Sequence, residues 1–509
     1  MTPPAPPPPR ARNFLFDTGS RTGLKLIAST GNLLLTGWLV KALGQETFGV
    51  YRSATASVAL LSLAGAGFTG ASYGLIVRCL AKEDYAGVNQ VFSNSARHLW
   101  MVFAALILCS WPFGWVLAWL YNVPGNLAAD FQATASLSTL ALAFGFAAAP
   151  FIWIVQARQR EYVLNLLHLP LAVISPVVVY LTARMIPHAW GPALALTAMA
   201  LVGNTLCIGT SLWMHRHWLR FDRHLRHTEV GKRTRYSFLE EIAAVVLGQA
   251  LIWSVAFHSG VTEVGKLAVT SAFFTLSRDL LSTISATLVA PVGSLYHSGD
   301  TERASRAWFD ASIFSGGACM AVAATLLLVN QNLISAWVGT DLFLGAAVNW
   351  MLVVGLVITG INAPSVAVLY ALDGYAERAL LLIAEAAASL ALSFTLGWQF
   401  GVVGAVVGVL VSQISVAALY PVFIRRRLEI PWAKLSGALG RLAVVILLGV
   451  CAITFLHLQQ PLSVLFWLRL AQGLGIGFLL CLACCLLGVS APERRRLFER
   501  LGTMFARAR

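Results

Sequence analysis

Charged side chains are scarce in this chain: 11% of its 509 residues are Asp, Glu, Lys or Arg, while 58% are hydrophobic. A soluble protein carries roughly 25% charged residues, so this composition leaves too little polar exterior for a water-soluble fold. The shortage points to an all-α polytopic membrane protein. Acids are the scarcer sign, 22 against 36 Lys and Arg, with a formal net charge of +14. In a soluble chain that surplus would suggest nucleic acid. In a membrane chain it is the Lys/Arg excess of cytoplasmic loops, and no nucleic-acid partner is expected. Cysteine supplies no framework. Cys481, Cys484 and Cys485 form "CLACC" inside a continuous apolar run with no His nearby, and the other five are scattered. They read as small buried hydrophobes, so neither disulfides nor a metal is indicated, and no cofactor is expected. No signal peptide is expected either. "MTPPAPPPPRAR" is Pro-rich, cannot be helical, and reads as a disordered or polyproline tail.

Long apolar runs are what the chain has in quantity. A spanning helix needs about 20 apolar residues, and that ruler gives fourteen candidates: 22–40, 53–78, 99–120, 133–156, 164–183, 193–214, 237–258, 267–294, 311–337, 344–370, 379–397, 401–423, 438–457 and 463–488. The spans meeting near Phe400 are parted only by the "GWQFG" turn. Pro112, Pro150, Pro170, Pro176 and Pro364 fall inside spans and are expected to kink or break them. With both termini cytoplasmic, the outer loops hold only Lys41, Arg52, Arg184 and Lys266 among the 36 Lys and Arg, five lie in or beside helices, and the rest are cytoplasmic. A miscounted helix would invert every later loop, so an even number of spans is expected. The organisation is then a Pro-rich cytoplasmic tail (1–21), six helices (22–214), a basic cytoplasmic loop (215–236), six helices (237–423), two more (438–488) and a basic tail (489–509). The central loop, "HRHWLRFDRHLRHTEVGKRTR", fits anionic lipid headgroups better than nucleic acid.

The halves show traces of duplication. "FGVYRSATASVALLSL" opens the second span and "VGKLAVTSAFFTLSRD" the eighth, with Gly49 and Gly265, and Ala56 and Ala272, in register. "GNTLCIGTSLWMHRH" and "SQISVAALYPVFIRR" close the sixth and twelfth, aligning Asn204 with Gln413 and Arg216 with Arg425. Together they point to six helices repeated as six, plus two, a plan common among secondary transporters.

Three stretches carry a family resemblance. They are "LGQETFGVYRSATASVALLSLAGAGFTGASYGLIVRCLAK" (43–82), "VAPVGSLYHSGDTERASRAW" (289–308) and "DGYAERALLLIAEAAASLALSFTLGWQFGVVGAVVGVLVSQ" (373–413). In these, Gly44, Gly49, Tyr51, Gly401, Gly404 and Gly408 match the multidrug/oligosaccharidyl-lipid/polysaccharide (MOP) exporter superfamily, and within it the chain resembles the Wzx-type polysaccharide flippases. The resemblance covers 18–430 and implies two six-helix lobes in a V-shaped, MATE-like arrangement plus two C-terminal helices. It implies a non-enzymatic transporter of the bacterial inner membrane. Such a transporter flips an undecaprenyl-diphosphate oligosaccharide by alternating access for surface polysaccharide (O-antigen, exopolysaccharide or capsule) synthesis. Membrane lipids, and the polysaccharide polymerase and glycosyltransferases of that pathway, would be its further partners.

A diphosphate headgroup needs cations along its passage, and few lie inside the spans: Lys25, Arg278 and Arg469, with Arg21, Arg52, Arg78 and Arg441 at helix ends. Arg278, in "FFTLSRDLLSTI", stands near the middle of its span. An Arg at a helix centre costs about 2.5–3.5 kcal/mol on insertion scales, so it should face a cavity or a partner. Substrate phosphate and a structural ion pair are both open, but adjacent helical residues point about 100° apart, so Asp279 is not the expected partner. Lys25 shares a face with Arg21 and either receives a headgroup or snorkels to the membrane surface. In the similar peptidoglycan lipid flippases, basic residues of the first, second and eighth helices line the cavity, which implies Lys25, Arg52 and Arg278 here. Asp279 and Glu385 are the deep acids, suited to ion coupling or to neutralising a cation. Glu240 and Glu241 are expected to favour the N-terminal dipole of the seventh span. His168 and His258 have no Cys, His or carboxylate three or four residues away and read as polar groups near an interface. Two rival functions remain. A MATE-type drug/cation antiporter typically carries acid and Pro features in its first lobe, yet "TGLKLIASTGNLLLTGWLV" has a Lys and neither. An integral-membrane polysaccharide ligase or polymerase would need large outer loops, and the outer loops here are short.

Overall fold

The computed structural model describes residues 10–65, 68–221, 229–286, 289–372 and 374–433, with isolated positions beyond. The thirteenth and fourteenth spans, the basic tail 489–509, Arg441, Arg469 and "CLACC" lie outside the described residues. Helix is the only regular structure among those described. Fourteen helices follow one another: α1 (Arg10–Leu43), α2 (Gln45–Val58), α3 (Phe68–Ala81), α4 (Tyr85–Leu120), α5 (Gly125–Ala157), α6 (Glu161–Met185), α7 (Trp190–His215), α8 (Glu229–Ser259), α9 (Val261–Ala286), α10 (Val289–His297), α11 (Thr301–Trp337), α12 (Ala346–Ala371), α13 (Tyr375–Ala417) and α14 (Tyr420–Leu428). Nine stretches among the described residues are long and apolar enough to cross a bilayer, one of them the 53-residue run Ala376–Leu428. The chain is an all-α polytopic membrane protein.

Several boundaries differ from the sequence-based expectation. Helix α1 starts at Arg10, so residues 10–21, expected in the disordered tail, are helical. The proline run stops at Pro9 and the next Pro is Pro112, so nothing halts the helix in between. Helix α8 starts at Glu229, inside the expected loop, which carries Glu240 and Glu241 well past its first turn and removes their capping role. The second span is not continuous: α2 passes into a 3-10 stretch, Ala59–Gly65, before α3. Glycine is unfavourable in helix interiors, and "AGAGFTG" supplies three in seven residues. None of the five proline residues breaks its helix; each lies within an unbroken α4, α5, α6 or α12.

The expected turn near Phe400 is present. Gly401 has φ 58° and ψ −139°, a conformation open to glycine, and divides α13 into two arms. The arms fold back closely, since a methyl group on Gly404 would overlap the Leu396 carbonyl and one on Gly408 would overlap the Leu392 backbone.

The chain falls into two compact units, Met1–Val269 with Ala386–Gly408, and Thr270–Glu385 with Val409–Arg509. In the first, α4, α5 and α7 pack in sequence and α1 lies along α6. Its core includes Leu75, Ile76, Val91, Leu99, Phe151 and Ile154. Neither α6 nor α7 has a capping side chain of its own. Asp17 Oδ1 accepts the Tyr162 N–H (2.7 Å) at the start of α6, and Asp130 Oδ2 accepts the Ala189 N–H (3.3 Å) at the start of α7. Both caps therefore come from other helices. In the second unit, α11 packs on α12, and α10 and α14 close one end. Trp308, Leu369, Leu381 and Ile424 form one core there, and Phe274, Met320, Leu327 and Val353 another. Hydroxyl-to-backbone bonds tie the helices: Ser211 Oγ donates to Phe151 O (2.9 Å) in the first unit, and Ser315 Oγ to Gly360 O (2.6 Å) in the second.

The spacing of the expected repeat recurs in two helix caps. Asp84 caps α4 by accepting the Gly87 N–H (2.8 Å), and Asp300 caps α11 by accepting the Arg303 N–H (3.1 Å). The interval between these caps equals that between Gly49 and Gly265. Those two glycines also meet: a methyl on Gly265 would lie 3.4 Å from the Gly49 Cα. The contact is also reciprocal, as in an isologous pairing: Gly49 lies against the Val261 carbonyl and Gly265 against the Gln45 carbonyl.

Candidate functional site

Helix α9 is anchored by Phe274, buried in a core with Met320 and Leu327, while Phe273 and Leu281 pack against that core. Beside this anchored edge runs a different surface. Ser271, Thr275, Arg278 and Ser282 recur at intervals of four, three and four, which places them on one helical face over three turns. Thr275, Arg278 and Ser282 are exposed and Ser271 half-buried. Ser282 Oγ donates to the Asp279 carbonyl (2.9 Å), which satisfies its proton within the helix and leaves its lone pairs outward.

The membrane context makes this unusual. Helix α4 exposes Met101, Leu108, Trp111, Trp115 and Trp119, and α6 exposes Leu166, Val173, Ile174, Val177 and Leu181, the surfaces hydrocarbon requires. No large hydrophobic side chain among the described residues of α9 is exposed. A face of three exposed polar groups with a guanidinium at its centre suits water or a polar ligand.

The other candidates take separate places. Among the described residues Arg278 makes no hydrogen bond or ion pair, and neither does Glu385, half-buried on α13. Asp279 is half-buried on the flank of the polar face. These three belong to the second unit. Lys25, half-buried on α1, and Arg52, half-buried on α2, belong to the first. The Arg52 Nε is enclosed without a hydrogen-bond partner among the described residues. Arg21 lies 3.8 Å from Glu161, across from the Asp17 cap.

Three groupings escaped the sequence. The 4-3-4 spacing around Arg278 was readable, but serine and threonine within a helix commonly bond back to their own backbone, so spacing alone could not separate a ligand face from packing. Cys207 Sγ lies 3.5 Å from His168 Nε2, a contact 39 residues apart that no local pattern announces. His258 sits among Phe257, Phe394 and Trp398, with Phe394 brought from α13 at 5.5 Å. No group of three or more His, Cys, Asp or Glu among the described residues could hold a metal.

No protein-family model matches the chain, and no curated protein sequence does. Solved structures do. The lipid II flippase MurJ, in an inward closed conformation, is similar with a TM-score of 0.70 at 13% identity, over 95% of this chain and all of that one. An inward-facing multidrug resistance MATE family transporter of the MOP superfamily matches with a TM-score of 0.62 at 15% identity, over 79% of this chain and 94% of that one. A MOP superfamily transporter from Pyrococcus furiosus, described by a binding pocket of reverse polarity suggesting a different function, matches with a TM-score of 0.57 at 12% identity, over 81% of this chain and 95% of that one. This chain carries the fold shared by the MOP superfamily transporters, MATE proteins and the MurJ flippase among them.

Proposed function

We propose that the chain is a MOP-type transporter that flips a lipid-linked oligosaccharide, carried on undecaprenyl diphosphate, across the bacterial inner membrane for surface polysaccharide synthesis. The observation that carries this reading is the exposed polar face of α9 with Arg278 at its centre. A fixed cation on a face that, among the described residues, exposes no large hydrophobic side chain suits an anionic headgroup and repels the cations that drug antiporters move. The Pyrococcus furiosus transporter shows that pocket polarity is treated as a functional discriminator within this fold. The absence of any acid from residues 22–40 points the same way.

In this reading Arg278 receives a phosphate oxygen, and Lys25 and Arg52 supply further cationic contacts. Asp279 and Glu385 couple the cycle to an ion or balance a cation. The termini are cytoplasmic, and the polymerase and glycosyltransferases of the same pathway are its partners.

The test is complementation of a deletion strain. Loss of the chain should make lipid-linked oligosaccharide accumulate. Arg278→Ala should fail to restore surface glycan while its membrane abundance equals wild type. Wild-type export by that variant removes Arg278 from the passage. Restored drug resistance with no change in glycan assigns the chain to the antiporters instead.

A further inference from the structure

We propose that residues 216–221, immediately after α7, form a binding site for an anionic phospholipid of the surrounding bilayer. The proposal does not depend on what the chain transports. Helix α7 exposes Leu194, Leu201, Val202, Leu206, Leu212 and Trp213, apolar side chains that share one broad face and suit acyl chains. Arg216 stands four residues beyond Leu212 and three beyond Trp213, so it continues that face one turn further, where an acyl surface gives way to headgroups. Arg216, His217 and Arg220 are exposed, and the Arg216 Nε donates to His217 Nε2 (3.4 Å). Phe221 is exposed beside them and stacks on Trp100, itself exposed, at 5.3 Å. Cations interleaved with Trp and Phe are the composition of an interfacial anchor.

The segment is built, not loose. The Asn89 side-chain amide holds both sides of Leu219: its Nδ2 donates to the Trp218 carbonyl and its Oδ1 accepts the Arg220 N–H, each at 2.9 Å. The Trp218 ring is packed edge-on to His215 at 5.2 Å, and the Arg158 guanidinium lies over it at 5.2 Å. Leu219 and Trp218 pack on the core of the first unit. Two arginines therefore stand at fixed positions at the end of an acyl-facing surface. A soluble anion would use the cations and leave the adjoining apolar side chains idle. A phospholipid uses both, which is why the occupant is a lipid.

The experiment is a thermal-unfolding titration of the delipidated full chain in neutral detergent. Phosphatidylglycerol should raise the apparent Tm, while phosphatidylcholine and inorganic phosphate should not. The double variant Arg216→Gln, Arg220→Gln should lose at least half of the phosphatidylglycerol shift, and Arg184→Gln, an exposed cation near the end of α6, should keep it. Should the double variant unfold early without lipid, Arg216→Lys with Arg220→Lys replaces it and should retain the response while added salt weakens it. A full shift in the Gln variant, a lost shift in the Lys variant, an equal loss in Arg184→Gln, or an equal response to phosphatidylcholine or to phosphate overturns the proposal.

Discussion

At the scale of single residues, Arg278 and Asn330 show two ways a membrane helix carries a polar group. Arg278 is exposed and has no protein partner among the described residues. Its cost is tolerable only if water or a ligand meets it. Arg278→Lys keeps the charge and loses the planar fork, so under the proposed function it should restore part of the glycan export that Arg278→Ala is expected to lose, read as surface polysaccharide per cell. Equal loss in both would show that the bidentate geometry, not the charge, is what the site uses. Asn330 is the opposite case, fully buried. Its Nδ2 donates to the Thr270 carbonyl (3.1 Å) and to Asn349 Oδ1 (2.8 Å), while Thr270 Oγ1 accepts the Leu344 N–H (3.2 Å), so one amide ties α9, α11 and the start of α12. Bonds of this kind in membranes are worth about 0.6 kcal/mol each. Asn330→Ala removes two and should destabilise the protein by about 1 kcal/mol, seen as a lowered Tm in detergent. An unchanged Tm would mean that the network adds nothing to stability. Arg278 was legible in the sequence because a charge stands out in an apolar run. Asn330 was not, because an uncharged amide at the far end of a span has no expected partner until the fold supplies one.

At the scale of elements, the apolar-run ruler located most of the long described helices but not their ends, and it merged α2 with α3 and α9 with α10 into single spans. It measures hydrocarbon thickness, whereas α4 and α11 begin at Tyr85 and Thr301, ahead of the apolar residues, where Asp84 and Asp300 cap them. Those capping acids were readable as helix starts. The caps of α6 and α7 were not, because Asp17 and Asp130 lie 145 and 59 residues from the amides they bind. The glycine contacts carry a sharper expectation. A methyl on Gly49 would overlap the Val261 carbonyl, a fixed backbone atom, while one on Gly265 would stand 3.2 Å from the Gln45 carbonyl and needs only a small shift. Overpacking a tight site typically costs about 1–3 kcal/mol. Gly49→Ala should therefore lower the yield of monodisperse, detergent-extracted protein well below wild type, and Gly265→Ala should lower it less. Size-exclusion profiles at matched expression check this. The reverse order, or no loss at Gly49, would contradict a close α2–α9 approach.

At the scale of the whole chain, the distribution of charge carries an expectation about orientation that helix packing cannot supply. The many apolar spans were legible because a bilayer punishes a buried charge, and the loop charge carries the expectation that Lys and Arg gather on one side. The lobes' chemistry was less so, since similar packing serves transporters at 12–15% identity whose described functions differ. Arg184 follows five expected spans, an odd number that puts it on the expected outer side, and is exposed near the end of α6; Ser298, exposed between α10 and α11, follows eight and belongs to the expected cytoplasmic set. In a background carrying Cys109→Ser, which removes the exposed thiol among the described residues, and with Cys451, Cys481, Cys484 and Cys485 also replaced by Ser, Arg184→Cys should react with a membrane-impermeant maleimide in intact spheroplasts. Ser298→Cys should react only after the membrane is permeabilised. The positive-inside bias predicts this pattern from the scarcity of outer cations alone. Labelling of Ser298→Cys in intact spheroplasts with protection of Arg184→Cys would invert the topology. It would also place the Arg216–Phe221 segment at the outer leaflet, so the same anionic-lipid site would then have to draw on a different lipid population.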